Sequence, residues 1–209
     1  MNYPIMLDLK GKKITIVGGG KVAYRKACNF INFGYKVEVV ALEFIAEFNY
    51  INEKVNFIHA EYNELYIESS FLVIAATNNR KINESIGIFC REKGKLVNVV
   101  DNPSLSNFIV PSVLKRGDLI IGVSTSGKSP SLAAKIKKDL EMTYDDSYEE
   151  YVNLLGDIRS EILEKYDNPM EKKKLLNEII NLNLDELKKY NIWFMLKFRD
   201  LYLIKLNII

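Results

Sequence analysis

Residues 14–34 constrain this chain more than any other stretch. Ile14-Thr15-Ile16-Val17 is a short β-branched run, Gly18-Gly19-Gly20 follows it directly, and Ala23, Ala27, Phe30 and Ile31 then recur at three- and four-residue steps before Gly34. That order is strand, turn, helix and stop. A glycine turn feeding a helix N-terminus presents bare backbone N–H groups to an anion. In the pattern Gly-x-Gly-x-x-Ala, Gly18 permits the tight turn, Gly20 lets a pyrophosphate approach the backbone, and Ala23 lets the helix sit close on its strand. The turn Gly18-Gly19-Gly20-Lys21-Val22-Ala23 is therefore expected to cradle the phosphates of a dinucleotide.

The same alternation continues downstream. Apolar strands are expected at Val37 to Leu42, Val55 to Ile58, Phe71 to Ala76 and Leu96 to Val100, with a helix from about Arg80 to Lys93 before the last. Runs 71–76 and 96–100 are apolar almost throughout, as parallel strands covered on both faces require. The expected fold is α/β, a Rossmann-type doubly wound parallel sheet. From Pro111 the character changes: Leu119 to Val123 is one more strand, and Ser129-Pro130 opens a helix, with Leu132, Ala133, Ile136 and Leu140 inward and Lys135, Lys137 and Lys138 outward. Tyr144 to Ser147 is a joint, and Asn168-Pro169 starts a later helix. The reading is a sheet domain over 1–112, a small α+β region over 113–145 and a helical C-terminal domain over 146–209.

Composition limits the partners. The 209 residues are 48% hydrophobic and 27% charged, which suits a soluble chain with a real core. The net charge of +2, without a basic block, gives nucleic acid no footprint. Cys28 and Cys90 fall in apolar helical patterns and His59 stands alone, so small buried hydrophobes are expected and no metal site is. Reduced cysteines and a first stretch, Met1 to Leu9, without a signal pattern suit the cytoplasm. Trp193 to Ile209 is apolar but interrupted by Lys197, Arg199, Asp200 and Lys205, so a packed amphipathic helix is expected and a membrane span is not.

Three strand ends carry the remaining chemistry. After the second strand, where an acidic residue ordinarily selects NAD over NADP, stand Ala41 and Leu42, with Glu43 the first carboxylate and no Lys or Arg close by; NAD is favoured. Thr77-Asn78-Asn79 follows the fourth strand and has two readings, contact with the cofactor or capping of the next helix. Asp101 follows the fifth strand and also has two, a proton acceptor during hydride transfer or a turn residue before Asn102-Pro103.

Several runs together resemble one family. Pro4-Ile5-Met6-Leu7, Val17 to Lys26, Ala75-Ala76-Thr77-Asn78, Val97 to Asp101, Phe108 to Ser112 and Val123 to Pro130 keep order and spacing across residues 4 to about 140, and look like the precorrin-2 dehydrogenase and sirohydrochlorin ferrochelatase family. The resemblance implies NAD-dependent oxidation of precorrin-2 to sirohydrochlorin in siroheme biosynthesis and, in bifunctional members, insertion of ferrous iron. It also implies a homodimer, with 113–145 as the dimerisation region. It carries the catalytic role to Asp101, as general base, and cofactor contacts to Lys21, Val22, Leu42 and Glu43. The family serine carries over to Ser124, and Ser124, Ser126 and Lys128, with free N–H groups at the Ser129-Pro130 helix start, suit the carboxylates of a flat tetrapyrrole. The alternatives are a non-catalytic NAD-sensing Rossmann domain, and a chelatase or tetrapyrrole carrier without redox activity.

Overall fold

A computed structural model describes residues 2–205, with side chains through residue 197. The chain divides into two compact units between Val110 and Pro111. In the first, β1 (Ile14–Val17), α1 (Lys21–Asn32), β2 (Val37–Ala41), a 3₁₀ segment (Ala46–Lys54), β3 (Val55–His59), α2 (Leu65–Glu68), β4 (Leu72–Ala75), α3 (Arg80–Glu92) and β5 (Leu96–Val99) follow one another. The sheet is wholly parallel, in the order β3-β2-β1-β4-β5. Strand order reverses between β1 and β4, where a parallel sheet opens a crevice at its carboxyl edge.

Both faces of the sheet are covered, which accounts for the unbroken apolar strands. Ile14, Ile16, Val39 and Ile74 pack on one side with Ala27 and Ile31 of α1 and with Phe48. Val17, Val73, Ala75, Val97 and Val99 pack on the other with Ile67, Ile86 and Cys90. Thr15 is the one polar residue inside β1, and its hydroxyl is paired with that of buried Ser70 at 2.7 Å. Burial pushes the Cys90 thiol up to about 11, whereas Cys28 is only half-buried. The edge strand β5 is closed by side chains: Val97 N–H donates to Asn107 Oδ1 at 2.8 Å and Val99 N–H to Ser106 Oγ at 2.9 Å.

In the second unit β6 (Ser112–Arg116) and β7 (Leu119–Val123) form an antiparallel hairpin, followed by α4 (Pro130–Thr143), α5 (Ser147–Lys165), α6 (Pro169–Ile179) and α7 (Leu184–Lys205). The sequence reading missed β6, because Lys115 and Arg116 close a run with little β signature; cross-strand pairing with β7 supplies what local propensity lacks. The joint at 144–147 and the Asn168-Pro169 helix start are present, and Asn168 caps α6.

One expectation is corrected on α4. Ala133 is buried, but Leu132 and Ile136 are 48% and 36% exposed. The helix rests on the two-stranded hairpin, a support wide enough to cover only the stripe Ala133, Lys137 and Leu140. The helical core is Ile158 and Ile162 of α5, Ile179 of α6, and Leu187 and Phe194 of α7. Trp193 is exposed, with the Lys197 ammonium 5.2 Å from its ring centroid. Of the C-terminal segment 193–209, residues 206–209 lie outside the described residues. No helix among the described residues is long and apolar enough to cross a membrane.

Candidate functional site

The three glycines of the β1–α1 turn have three different reasons to be glycine. Gly18 sits at φ +128°, and a Cβ there would lie 2.3 Å from the Ala76 carbonyl oxygen. A Cβ on Gly19 would lie 1.9 Å from the Glu43 carbonyl oxygen, because the loop after β2 folds onto the turn and Ile45 N–H donates to Gly19 O at 3.0 Å. A Cβ on Gly20 would meet nothing within 4 Å, and its backbone, φ −89° and ψ −175°, is open to any residue. The protein itself does not require glycine at position 20. An approaching ligand would.

No side chain caps α1, and no acidic residue stands in its first turn. Its N–H groups and dipole are left for an anion, with exposed Lys21 beside them. Ala23, fully buried, holds the helix against the sheet beneath the turn.

The turn opens into a cavity of about 680 Å³. Of the expected cofactor residues, Gly18, Gly19, Gly20, Leu42, Glu43, Thr77 and Asn78 line it, while Lys21 and Val22 flank it on α1. Val40, Phe44, Ile45, Ile82 and the segment Ala60-Glu61-Tyr62 also line it and were not anticipated. Residues 60–62 reach it because β3 pairs β2 in parallel, with Ala41 opposite His59, so both strands deliver their following residues to one edge. Glu43 and Glu61 are the charged lining residues among those described, and no Lys or Arg joins them. Glu38 is held away by Lys13, 2.8 Å from its carboxylate. Burial pushes the Tyr62 phenol well above the usual tyrosine range, so it stays a neutral hydroxyl.

At the ends of β4 and β5 the capping and turn roles fall on Asn79 and Asn102. Asn79 caps α3, accepting from Lys81 N–H and Ile82 N–H, and lines the cavity together with Thr77 and Asn78. The turn after β5 is made by Asn102, whose side chain accepts from Ser104 N–H, so the Asp101 carboxylate is not spent on it. Asp101 is exposed, and Asn83 Nδ2 donates to its Oδ2 at 3.1 Å. Asn83 also holds Thr77 by three hydrogen bonds, joining the cavity wall to Asp101. The sequence reading passed over Asn83; its signal was a single polar residue on the apolar face that Ile86 and Cys90 define on α3.

In the second unit Ser124, Ser126 and Lys128 are exposed on the β7–α4 turn. The donors expected to be free there are partly engaged: Ser126 N–H donates to Ser124 Oγ at 3.1 Å, Ser129 N–H to Thr125 Oγ1 at 3.0 Å and Leu132 N–H to Ser129 Oγ at 3.3 Å. Ser124 keeps its own O–H for another acceptor. Ser126 adopts φ +52° without being glycine.

Residues 5–112 match the family model described as "Putative NAD(P)-binding", and residues 116–142 match that of the sirohaem biosynthesis protein central region. The chain is 35% identical over 186 residues to the precorrin-2 dehydrogenase of Methanosarcina barkeri, covering 85% of this chain and 82% of that one. It is 34% identical over 181 residues to the precorrin-2 dehydrogenase of Priestia megaterium, covering 86% and 89%. A siroheme synthase of Buchnera aphidicola is 30% identical over 184 residues, 87% of this chain and 39% of that protein. The chain thus spans about two fifths of the length of the siroheme synthases it matches. The solved structure of SirC, a precorrin-2 dehydrogenase, shares 32% identity and a TM-score of 0.76 over 93% of this chain and 99% of that one.

Proposed function

The chain belongs to the precorrin-2 dehydrogenase and siroheme synthase family, and from that premise we propose that it oxidises precorrin-2 to sirohydrochlorin with NAD. The observation that carries this reading is the pairing of an uncapped α1 N-terminus, open at Gly20, with an exposed carboxylate at the end of β5 that its own turn does not use. NAD, when bound, supplies the hydride acceptor. Gly18 to Gly20 and the start of α1 hold its pyrophosphate, and Leu42, Glu43, Thr77 and Asn78 line its cavity. A cavity wall with Glu43 and Glu61 and no cation disfavours the 2′-phosphate of NADP.

Loss of a hydride from carbon leaves a proton to be removed, and Asp101 accepts it at Oδ1, the oxygen that Asn83 does not engage. Ser124, Ser126 and Lys128 bind the carboxylates of the tetrapyrrole. Where ferrous iron is a second substrate, the same carboxylate receives the pyrrole N–H protons. Residues 113–145 form the dimerisation region of a homodimer, a reading supported by exposed Leu132 and Ile136 on α4, and the enzyme works in the cytoplasm.

The test is an anaerobic assay of purified protein with NAD and freshly generated precorrin-2, following sirohydrochlorin absorbance and NADH together. Equal amounts of both above the spontaneous rate are expected, with slower turnover on NADP. No NADH above background would sink the proposal. Ferrous ion added to the product then reads chelation separately.

A further inference from the structure

Asn83 is wholly buried on α3, yet it is polar and uses every hydrogen-bonding position of its amide. Oδ1 accepts from Thr77 N–H at 3.0 Å and from Thr77 Oγ1–H at 2.7 Å; Nδ2 donates to Thr77 O at 3.0 Å and to Asp101 Oδ2 at 3.1 Å. We propose that Asn83 is a positioning residue of the reaction, which fixes the Asp101 carboxylate and couples it to the cavity wall at Thr77. The inference rests on the reading of Asp101 as proton acceptor.

The amide cannot flip. Thr77 presents a donor to one side of it and an acceptor to the other through its backbone alone, so reversal would set N–H against N–H and oxygen against oxygen. The second Nδ2 hydrogen is consequently committed to Asp101. A carboxylate held by a donor on Oδ2 is restrained about its Cβ–Cγ bond and is left with Oδ1 to take a proton. Stability of α3 does not call for this arrangement, because Asn79 already caps the helix. The amide also holds the β4–α3 turn, since a leucine there would leave Thr77 N–H and C=O without these partners; the bond to Asp101 is the part that the turn does not need. Thr77 faces the cavity and Asp101 faces solvent at the next strand end, and one side chain spans them.

The experiment measures kcat from pH 5 to 9 at saturating NAD, with NAD affinity taken by fluorescence titration and folding by thermal midpoint. Asn83→Asp keeps the shape and puts a second carboxylate against Asp101. Such a pair retains a proton to higher pH than a single carboxylate does, which blocks the base. The acid limb is expected to move up by about one to two pH units, with kcat recovering at high pH and NAD affinity within about three-fold of wild type. A profile superimposable on wild type, or a loss equal at every pH, overturns the inference. If Asn83→Asp does not fold, Asn83→Ala is combined with Asp101→Ala. Action through Asp101 requires the double variant to be no more than about two-fold slower than Asp101→Ala alone, whereas multiplied losses overturn it. Normal turnover by Asp101→Ala brings down the underlying reading; an inactive Asp101→Ala beside an unshifted Asn83→Asp brings down this inference alone.

Discussion

The β1–α1 and β7–α4 turns are both tight connections from a strand into a helix, but they treat the helix N-terminus in opposite ways. The first is three glycines and leaves α1 without any side-chain cap. The second is rich in hydroxyls that consume the local donors, Thr125 for Ser129, Ser124 for Ser126, and Ser129 for Leu132. Every helix starts with N–H groups that need partners. Where side chains provide them, the turn is complete within the protein and binds outward through whatever hydroxyl and ammonium groups remain. Where they are withheld, the N–H groups stay open at the helix start, as the proposed phosphate site requires.

Four substitutions break or sharpen that contrast. Gly19→Ala should have the largest effect, because its Cβ would fall on the Glu43 carbonyl; a loss of about 3 kcal/mol or more in denaturant unfolding is expected. Gly20→Ala, one residue on, should leave stability within about 1 kcal/mol while weakening NAD by at least about ten-fold in titration. Equal losses of stability at both positions would erase the distinction between a glycine required by the fold and one required by a ligand. Ser129→Ala should cost about 1 kcal/mol of stability through its lost cap and leave NAD affinity unchanged, the reverse of Gly20→Ala. Ser126→Gly should be the smallest, a gain of up to about 1 kcal/mol as the φ +52° backbone is relieved, read as a rise in thermal midpoint. A fall there would mean that the Ser126 side chain supports the turn.

Most of the first unit was legible beforehand, since its signals are local or repeat along the strand. Ile14–Val17 and the helix from Arg80 emerge as expected, and the other strand boundaries differ by a residue or so. The strand β6 was not legible, because Lys115 and Arg116 become strand only by pairing with Ile120 and Leu119. The burial of α4 was misjudged because periodicity shows that a helix has an apolar face but not how wide a surface will cover it; the hairpin covers Ala133 and leaves Leu132 and Ile136 out. In the site, the glycine turn and Asp101 were legible as strand ends. Glu61 was not, since it reaches the cavity only through the pairing of β3 with β2; the cap at Asn79 was legible as one of two roles, and Asn83 showed only as a polar residue on an apolar helix face, its partners Thr77 and Asp101 being set by the fold.

By itself the sequence determined the α/β alternation, the family and the glycine turn, because backbone preference, side-chain periodicity and a contiguous motif all act over a few residues of chain. Tertiary structure alone decided which of these glycines the fold itself requires. Gly18 and Gly19 are pressed against Ala76 and Glu43, 58 and 24 positions away, while Gly20 faces open space. It also set Asn83 of α3 beside Asp101, 18 positions on, since β4 and β5 are neighbours in the sheet and α3 is the connection between them.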